Sequence, residues 1–315
     1  MPQNTQSNVT ELRNESNAQP PALAWKDLRV APPGASRPVL RDVSGEIGHG
    51  QWVTFVGPNG AGKTTFFRAL VGLAPFQGEV WVHGEPWQTA RWRVQMAFQP
   101  PAASFVGQTV LEELAISIAA RAAHLGDPPP DGASLDAEVR RWMHLVGLST
   151  ALQRPVDQLS GGEMAKLAVA GALASGADVL LLDETQAELD PDARAAMREV
   201  LRGLARAGRT VLLVTHDMDD VLASDAVVVV KDGHMSAPMS PRAFFYADSG
   251  LPPCDHLGFE PPYLVQVARR VQRALAIEFS PLSEQEFVEG WQRVAASQIL
   301  DARAQRGNPS IESFV

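Results

Sequence analysis

The stretch QWVTFVGPNGAGKTTFFRAL, residues 51–70, joins an apolar strand pattern to a glycine-rich loop and a helical pattern. Its central part GPNGAGKT, residues 57–64, matches the spacing GxxxxGK(S/T). Glycines let successive backbone N–H groups point at phosphate oxygens, and the start of the next helix adds the positive end of its dipole. The stretch therefore predicts a phosphate cradle inside an α/β fold.

The residues of this loop have separate expected tasks. Lys63 should reach the β- and γ-phosphates of a nucleotide, and the Thr64 hydroxyl should ligate Mg²⁺. A glycine-rich turn without a ligand is the alternative, but the flanking strand and helix patterns are the context that a phosphate cradle requires. The predicted nucleotide-binding residues are Gly57, Pro58, Asn59, Gly60, Ala61, Gly62, Lys63, Thr64 and Thr65.

Composition limits the class of protein. The chain has 315 residues, of which 45% are hydrophobic, and its formal net charge is −9. Nucleic-acid phosphates require a basic surface, so we expect no nucleic-acid partner. Cys254 is the only cysteine, which excludes an intramolecular disulfide and favours a reducing compartment. No apolar run approaches about 18 residues, so we expect no transmembrane span.

Apolar runs beyond the loop predict further strands of a largely parallel sheet. The runs at Val179–Leu182, Thr210–Val214 and Ala226–Val230 are nearly continuous, which is typical of strands buried on both faces. We therefore predict the P-loop NTPase class of α/β fold, with a RecA-like parallel sheet core. Helical patterns are predicted at 64–73, 109–123, 134–146, 162–174 and from Pro191 to a stop at Gly208.

The order of these patterns predicts how the chain is divided. Residues 1–21 are polar and expected to be disordered. A nucleotide-binding domain is predicted over residues 22–240, with a helical insertion at about 104–176, and a small helical extension over 241–315. In the extension, an apolar stripe and a capping box predict two helices. The stripe is Leu264, Val267, Val271 and Leu275, and the box is Ser283 with Glu286, opening a helix through Trp291.

Carboxylates follow one of the predicted buried strands. In VLLLDE, residues 179–184, Asp183 is placed to hold Mg²⁺ and Glu184 to act as general base toward the attacking water. A solvated turn is the alternative for an acidic pair alone. His216, after the strand in TVLLVTHD, is expected to contact the γ-phosphate. Gln99, in AFQPP, is predicted to reach Mg²⁺ or the water, although by itself it is a polar loop residue.

The order of these motifs resembles the nucleotide-binding subunit of ATP-binding cassette (ABC) proteins. Between the P-loop and VLLLDE the chain carries LSGGE, residues 159–163, and AELD, residues 187–190, follows. The resemblance covers about 22–235 and implies a head-to-tail dimer with two ATPs. In such a dimer the signature of one subunit covers the γ-phosphate held by the other. It implies a trans signature of Leu159, Ser160, Gly161, Gly162 and Glu163, a D-loop with Asp190, and Mg²⁺ bound with ATP.

Two further stretches resemble the ATPases of energy-coupling factor importers for vitamins and metal ions, cobalt transporters included. They are QPPAASFVGQTVLEELA, residues 99–115, and LGFEPPYLVQVARRV, residues 257–271. This resemblance implies a second ATPase subunit, identical or paralogous, a transmembrane coupling protein and a membrane subunit that selects the substrate. It also implies a peripheral position on the cytoplasmic face of the cell membrane.

Several residues depart from the family pattern. Pro32 stands where an aromatic side chain commonly stacks on adenine, which predicts weak adenine discrimination unless another residue such as Trp25 supplies the stack. Glu163 replaces Gln, a mild electrostatic cost unless a cation neutralises it. Lys166 replaces Arg, and Thr185, Gln186 and Glu188 alter the DEPTAGLD pattern. These changes favour a paralogous dimer partner.

Three other functions remain open from the sequence. A conventional ABC importer or exporter ATPase shares the same enzymology with different membrane partners. A soluble ABC ATPase acting on nucleic acid or as an assembly scaffold commonly carries two cassettes or a coiled-coil insertion, and neither is present in the sequence. A regulatory binder without turnover is disfavoured because the carboxylate of Glu184 is present.

Overall fold

Two β-sheets form the framework of the fold. The computed structural model describes residues 19–32, 34–35, 37–97, 105–185, 189–247 and 250–305, with side chains to 295. The larger sheet has the strand order β10-β9-β3-β8-β7-β6, and all its pairings are parallel except β9 with β10. Its strands are β3 (Trp52–Val56), β6 (Val94–Ala97), β7 (Val179–Asp183), β8 (Thr210–Val214), β9 (Ala226–Lys231) and β10 (His234–Met235).

The parallel sheet confirms the predicted fold class. Strands β3 and β8 are buried at every position, as their unbroken apolar sequences predict for strands with both faces covered. One face of the sheet is covered by the helices between residues 110 and 174, which share one buried cluster with it. The other face packs against the helix that follows the phosphate loop, α1 (Lys63–Leu70).

The second sheet is antiparallel and was not predicted. Its main strands are interrupted by polar residues and buried on one face, so they lack the continuous apolar runs that identified the parallel strands. In β1 the residues facing inward include Trp25 and Leu28, which join the cluster around α1. The sheet has the order β2-β1-β4-β5, made of β1 (Leu23–Val30), β2 (Leu40–Ile47), β4 (Phe76–Val82) and β5 (Glu85–Pro86).

The predicted helices are present, with ends shifted by a few residues. Thr109 and Asp190 cap α3 and α6 by accepting hydrogen bonds from Glu112 N and Ala193 N. Helix α5 packs on both α3 and α4, over the sheet. The helices up to this part of the chain are α1 (Lys63–Leu70), α2 (Trp87–Ala90), α3 (Val110–Leu125), α4 (Gly132–Leu145), α5 (Gly161–Ala174), α6 (Pro191–Arg206) and α7 (Met218–Ala223).

Within the described part of the chain, four helices follow β10, and their packing corrects the predicted apolar stripe. Val265, Ala268 and Arg269 are the buried residues of α10, whereas Leu264 and Val267 are only half-buried. On that face, Val265 packs into a cluster with Phe244 and Phe245, and the Arg269 guanidinium binds both carboxylate oxygens of Asp255. The four are α8 (Pro241–Phe245), α9 (Pro253–His256), α10 (Tyr263–Leu275) and α11 (Glu284–Gln305).

The predicted start of α11 is present, but the helix is longer than predicted. Ser283 Oγ accepts from Glu286 N at 3.1 Å, as in a capping box. The Glu286 carboxylate bonds instead to Leu282 N and to Arg242, so the box is not reciprocal. The helix continues past Trp291 to Gln305. Among the helices of the described residues, none has both the length and the hydropathy of a membrane span.

A histidine pair lies where the two sheets meet, away from the phosphate loop. The rings of His49 and His83 are 4.7 Å apart, and His83 Nε2 lies 3.6 Å from Asp178. Burial lowers the pKa of the His83 imidazole; Asp178 and Glu85 oppose that shift, and His49 and Arg93 add to it. Protonation of His83 is therefore unfavourable in the folded state.

This pair predicts an acid-sensitive stability. Because the pKa of His83 is lower when folded, the unfolded chain binds the proton first, and stability falls as the pH drops below about 6.5. We expect His83→Asn to remove part of that loss, since Asn tolerates the φ of 53° at this position. Urea unfolding at about pH 7.5 and about pH 5.5 measures it. The control is His234→Asn at an exposed position; an unchanged acid loss in His83→Asn would contradict the prediction.

Candidate functional site

The phosphate loop sits between β3 and α1 in a conformation that only glycine allows at its first position. Gly57 has a φ of 149°, and a Cβ there would lie 1.9 Å from the Val230 carbonyl oxygen. Gly62, at a φ of 107°, precedes the helix, and no described side chain caps the helix start. The first N–H groups of α1 are therefore available to an anion.

The lysine of the phosphate loop donates hydrogen bonds to carbonyl groups of the same loop. Lys63 is 5% exposed, and its ammonium group donates to Gly57 O at 2.7 Å and Pro58 O at 3.1 Å. Burial lowers the pKa of Lys63, while the nearby carboxylates of Glu184 and Asp183 oppose that shift. The ammonium group of Lys63 thus lies at the loop, with the carboxylates of Asp183 and Glu184 nearby.

The end of β7 brings a carboxylate to the start of α1. Thr64 Oγ1 donates to Asp183 Oδ1 at 2.9 Å. Burial raises the pKa of Asp183, opposed by the hydrogen bond from Thr64 and reinforced by the charge of Glu184. A hydroxyl and a carboxylate oxygen at this spacing are the hard ligands that Mg²⁺ prefers. The two side chains therefore fit a shared magnesium ion.

Glu184 and His216 meet across the ends of β7 and β8. His216 Nε2 lies 3.0 Å from Glu184 Oε1, and both side chains are partly exposed. Glu184 has a φ of 52°, and its backbone N–H bonds to Val214 O, so its position is fixed by the adjacent strand. A cavity of about 420 Å³ opens beside the pair, lined also by Thr215. The pair can accept a proton from a bound water.

The strand order explains why these side chains converge. Strand β8 lies between β3 and β7, so the carboxyl ends of all three meet at one edge of the sheet. The residues that the structure brings together there are Lys63, Thr64, Asp183, Glu184 and His216.

Gln99 lies outside the described residues, but the loop that follows it is described from residue 105. The Glu113 carboxylate accepts from Val106 N and Gly107 N, each at 2.8 Å. A Cβ at Gly107 would lie 2.3 Å from Glu113 N, so the loop presses directly on α3. The paired glutamates in TVLEEL thus anchor this loop to the helix; Glu112 does so through Gln108 N.

The predicted signature forms the amino end of α5. Ser160 and Glu163 make a reciprocal capping box, with bonds of 3.3 Å and 2.9 Å. The nearest atom to a Cβ on Gly162 is Ala193 Cβ of α6, at 3.3 Å. A Cβ on Gly161 would lie 3.8 Å from Leu189 Cδ2. The signature therefore packs beside the segment that contains Asp190, and Leu159 is buried beneath it.

Arg154 is a residue that the sequence analysis missed. Its guanidinium donates to Glu163 Oε1 at 3.0 Å and to the Gln158 carbonyl at 2.8 Å. The hydrogen bond from Ser160 N lowers the pKa of Glu163, and the Arg154 charge lowers it further. The cation needed to neutralise the unusual carboxylate of the signature is thus supplied locally. The sequence signal was an arginine nine positions before it.

Comparison with known proteins places this geometry in a family. The family described as ABC transporter matches residues 40–187. The energy-coupling factor transporter ATP-binding protein EcfA1 of Streptococcus sanguinis is 32% identical over 257 residues, covering 78% of this chain and 88% of that protein. The chain belongs to the ABC transporter ATP-binding family.

Solved structures agree with the fold of this ABC ATPase. CbiO1 from Clostridium perfringens, described as part of the ABC transporter complex cbiONQ, has a TM-score of 0.64 at 21% identity, over 82% of this chain and 100% of that structure. The dimeric structure of the bacterial ABC transporter cassette MJ0796 has a TM-score of 0.60 at 22% identity, over 70% and 100%. At these identities the two structures establish the fold.

Trp25 does not provide the missing adenine stack in this ABC ATPase. Its side chain is 4% exposed and packs edge-on against Phe66, with ring centroids 5.1 Å apart. The alternative considered for Trp25 is therefore wrong, because the ring is part of the core between β1 and α1. Pro32 is half-buried just beyond the end of β1.

The half-buried carboxylate of Asp183, at the end of β7, predicts that its replacement by an amide raises stability. Since the pKa of Asp183 is higher when folded, its ionised form costs stability above that pKa and not below the unfolded value of about 3.9. We expect Asp183→Asn to raise the Tm of the nucleotide-free protein near pH 7.5, with a smaller difference toward about pH 4. Differential scanning calorimetry measures this, with exposed Asp192→Asn as control. A lower Tm in Asp183→Asn would overturn it.

Proposed function

We propose that this ABC ATPase binds Mg·ATP at the edge of the parallel sheet and energises an importer of the energy-coupling factor type. The observation that carries the catalytic part is the convergence of the phosphate loop, the Thr64–Asp183 pair and the Glu184–His216 pair at the ends of three adjacent strands. The transport part is supported by the relatives, which are named energy-coupling factor transporter ATP-binding proteins.

Each group has a task in the proposed site. The loop backbone from Gly57 to Thr65 wraps the phosphates, and Lys63 leaves its carbonyl partners to neutralise the β- and γ-phosphates. Thr64 and Asp183, directly or through water, would hold Mg²⁺, with Gln99 as a further contact. When bound, this ion supplies charge neutralisation for the phosphates.

Glu184 is proposed as the general base for the attacking water. Its hydrogen bond to His216 fixes the direction of the carboxylate, and the partly exposed position leaves room for the water. His216 is then placed to contact the γ-phosphate from the neighbouring strand end.

The signature is proposed to act on a second chain. The start of α5 packs against α6 of its own chain, and its capped N-terminus carries Ser160, Gly161 and Gly162 at an anion-binding helix end. A partner cassette, identical or paralogous, would place its phosphate loop against this end, with Asp190 at the contact. ATP would then close the dimer and hydrolysis would reopen it.

The proposed membrane partners are a transmembrane coupling protein and a substrate-binding membrane subunit, at the cytoplasmic face. The experiment that tests this is affinity purification of the tagged protein from gently solubilised native membranes, with mass spectrometry of what is recovered. Recovery of those two subunits supports the proposal. Recovery of a conventional permease pair, or of soluble partners alone, would contradict it.

Replacing the proposed base separates binding from turnover. We expect Glu184→Gln to retain ATP affinity but to lose about 100-fold or more of the ATPase rate, the usual size of a general-base contribution. With ATP and Mg²⁺, it should elute as a dimer in size-exclusion chromatography. Glu199→Gln, at an exposed position of α6, is the matched control. Hydrolysis at the native rate by Glu184→Gln would exclude this residue as the base.

The proline at the adenine position predicts weak selection of the base. A stack on an aromatic side chain contributes about 1–3 kcal/mol, and neither Pro32 nor the buried Trp25 supplies it. We expect similar ATP and GTP affinities by isothermal titration calorimetry, and a gain of about fivefold or more in ATP affinity for Pro32→Tyr. A strong preference of the native chain for ATP would show that another group recognises adenine.

A further inference from the structure

The loop that carries His216 is held on both sides by one hydroxyl group. Thr215 Oγ1 donates to Asp220 Oδ2 at 2.8 Å and accepts from the backbone N–H of Asp217 at 3.0 Å. Thr215 precedes the histidine and Asp217 follows it. The backbone on either side of His216 is therefore tied to the carboxylate of Asp220, in the first turn of α7.

That carboxylate is fully buried and bound to an arginine of another helix. Asp220 has 0% exposure, and its Oδ1 accepts from Arg198 Nε at 2.8 Å. The same guanidinium donates from Nη2 to Asp217 Oδ2 at 3.0 Å. Arg194, one turn earlier on α6, lies 3.6 Å from Asp217. Arg198 thus bridges two carboxylates that follow the histidine in the chain.

A buried ion pair of this kind is poor evidence for stabilisation of the fold. Removing charges from water costs several kcal/mol per ion, and apolar side chains of the same volume often serve stability as well. Burial raises the pKa of Asp220 despite the hydrogen bonds from Arg198 and Thr215. A planar guanidinium fixes the directions of its hydrogen bonds, because its N–H donors are held in a rigid fork. The geometry of the pair is therefore suited to holding a loop in one position.

We propose that Arg198, Asp220 and Thr215 are positioning residues for His216. The ion pair fixes Thr215, and Thr215 fixes the backbone that presents the imidazole to Glu184. Because Arg198 belongs to α6, which begins beside Asp190 and the signature, the histidine is also anchored to that segment. This inference rests on the proposed role of His216 in hydrolysis.

The sharpest test removes the single hydroxyl that connects the pair to the loop. Thr215→Val deletes the hydroxyl and keeps the volume, whereas Thr215→Ser retains the hydroxyl. We expect Thr215→Val to lower kcat by about tenfold to a hundredfold, the size of a small misplacement of a catalytic group, with ATP affinity unchanged. Thr215→Ser should lower kcat by no more than about threefold, a smaller loss than that expected for Thr215→Val. Equal kcat in Thr215→Val and the native protein would overturn the proposal.

A double-mutant cycle with His216→Ala distinguishes this proposal from the proposed function. If Thr215 acts through the histidine, Thr215→Val has no further effect on kcat in the His216→Ala background. A reduced kcat in His216→Ala with an equal additional loss from Thr215→Val would overturn the positioning role alone. Native kcat in His216→Ala would overturn the proposed role of the histidine, and this inference with it.

A second arginine–aspartate pair, at the opposite end of β8, serves as a control for the loss of an ion pair. Arg209, which precedes β8, pairs with Asp178, and this pair is more exposed than that of Arg198 with the fully buried Asp220. Arg198→Lys keeps the charge but cannot reach both carboxylates, so we expect kcat to fall about tenfold. Arg209→Lys should leave kcat unchanged. An equal loss in the two variants would show that disruption of an ion pair, and not the position of His216, explains the effect.

Discussion

The register of three parallel strands is the constraint on which the rest of the site depends. Asp183 pairs with Val214, Glu184 N bonds to Val214 O, and Thr215 N bonds to Phe55 O, so β7, β8 and β3 end together. Side chains alternate between the two faces of a strand, so a slip of one residue would turn Asp183 away from Thr64. Close packing on both faces opposes such a slip, because side chains of different volume would exchange places. Hydrophobic packing and chemistry are thus specified by the same residues.

The phosphate loop and the signature each carry opposite charges close together in the absence of nucleotide. Near the phosphate loop, Lys63 lies close to the Asp183 carboxylate, whose ionisation is made costly by burial and by the charge of Glu184, and an added cation would relieve that cost. At the signature, the single carboxylate is already neutralised by Arg154 and by the helix end that it caps. One end of the proposed composite site therefore gains from bound magnesium, whereas the other presents little net charge to a nucleotide.

Local sequence predicted the elements that depend on local patterns. The buried strands, the capped start of α11 and the phosphate loop follow from periodicity, capping residues and glycine spacing. The antiparallel sheet was missed because its strands bury only one face. The apolar stripe predicted on α10 is only partly buried, because the face with Val265 and Arg269 packs inward instead, against Phe244, Phe245 and Asp255. Arg154, Arg198 and Asp220 were missed because their partners lie close in space but carry no motif.

The backbone of Glu184 lies in the left-handed region, which affects the residue types that selection for stability would favour there. Its φ of 52° suits glycine or asparagine, whereas a glutamate in this conformation is strained by about 1–2 kcal/mol. The role in turnover proposed for Glu184 gives a reason for glutamate at this strained position. In a mutant library screened only for survival of heating, residue 184 would drift toward glycine or asparagine, and under the proposed role those variants would have lost turnover.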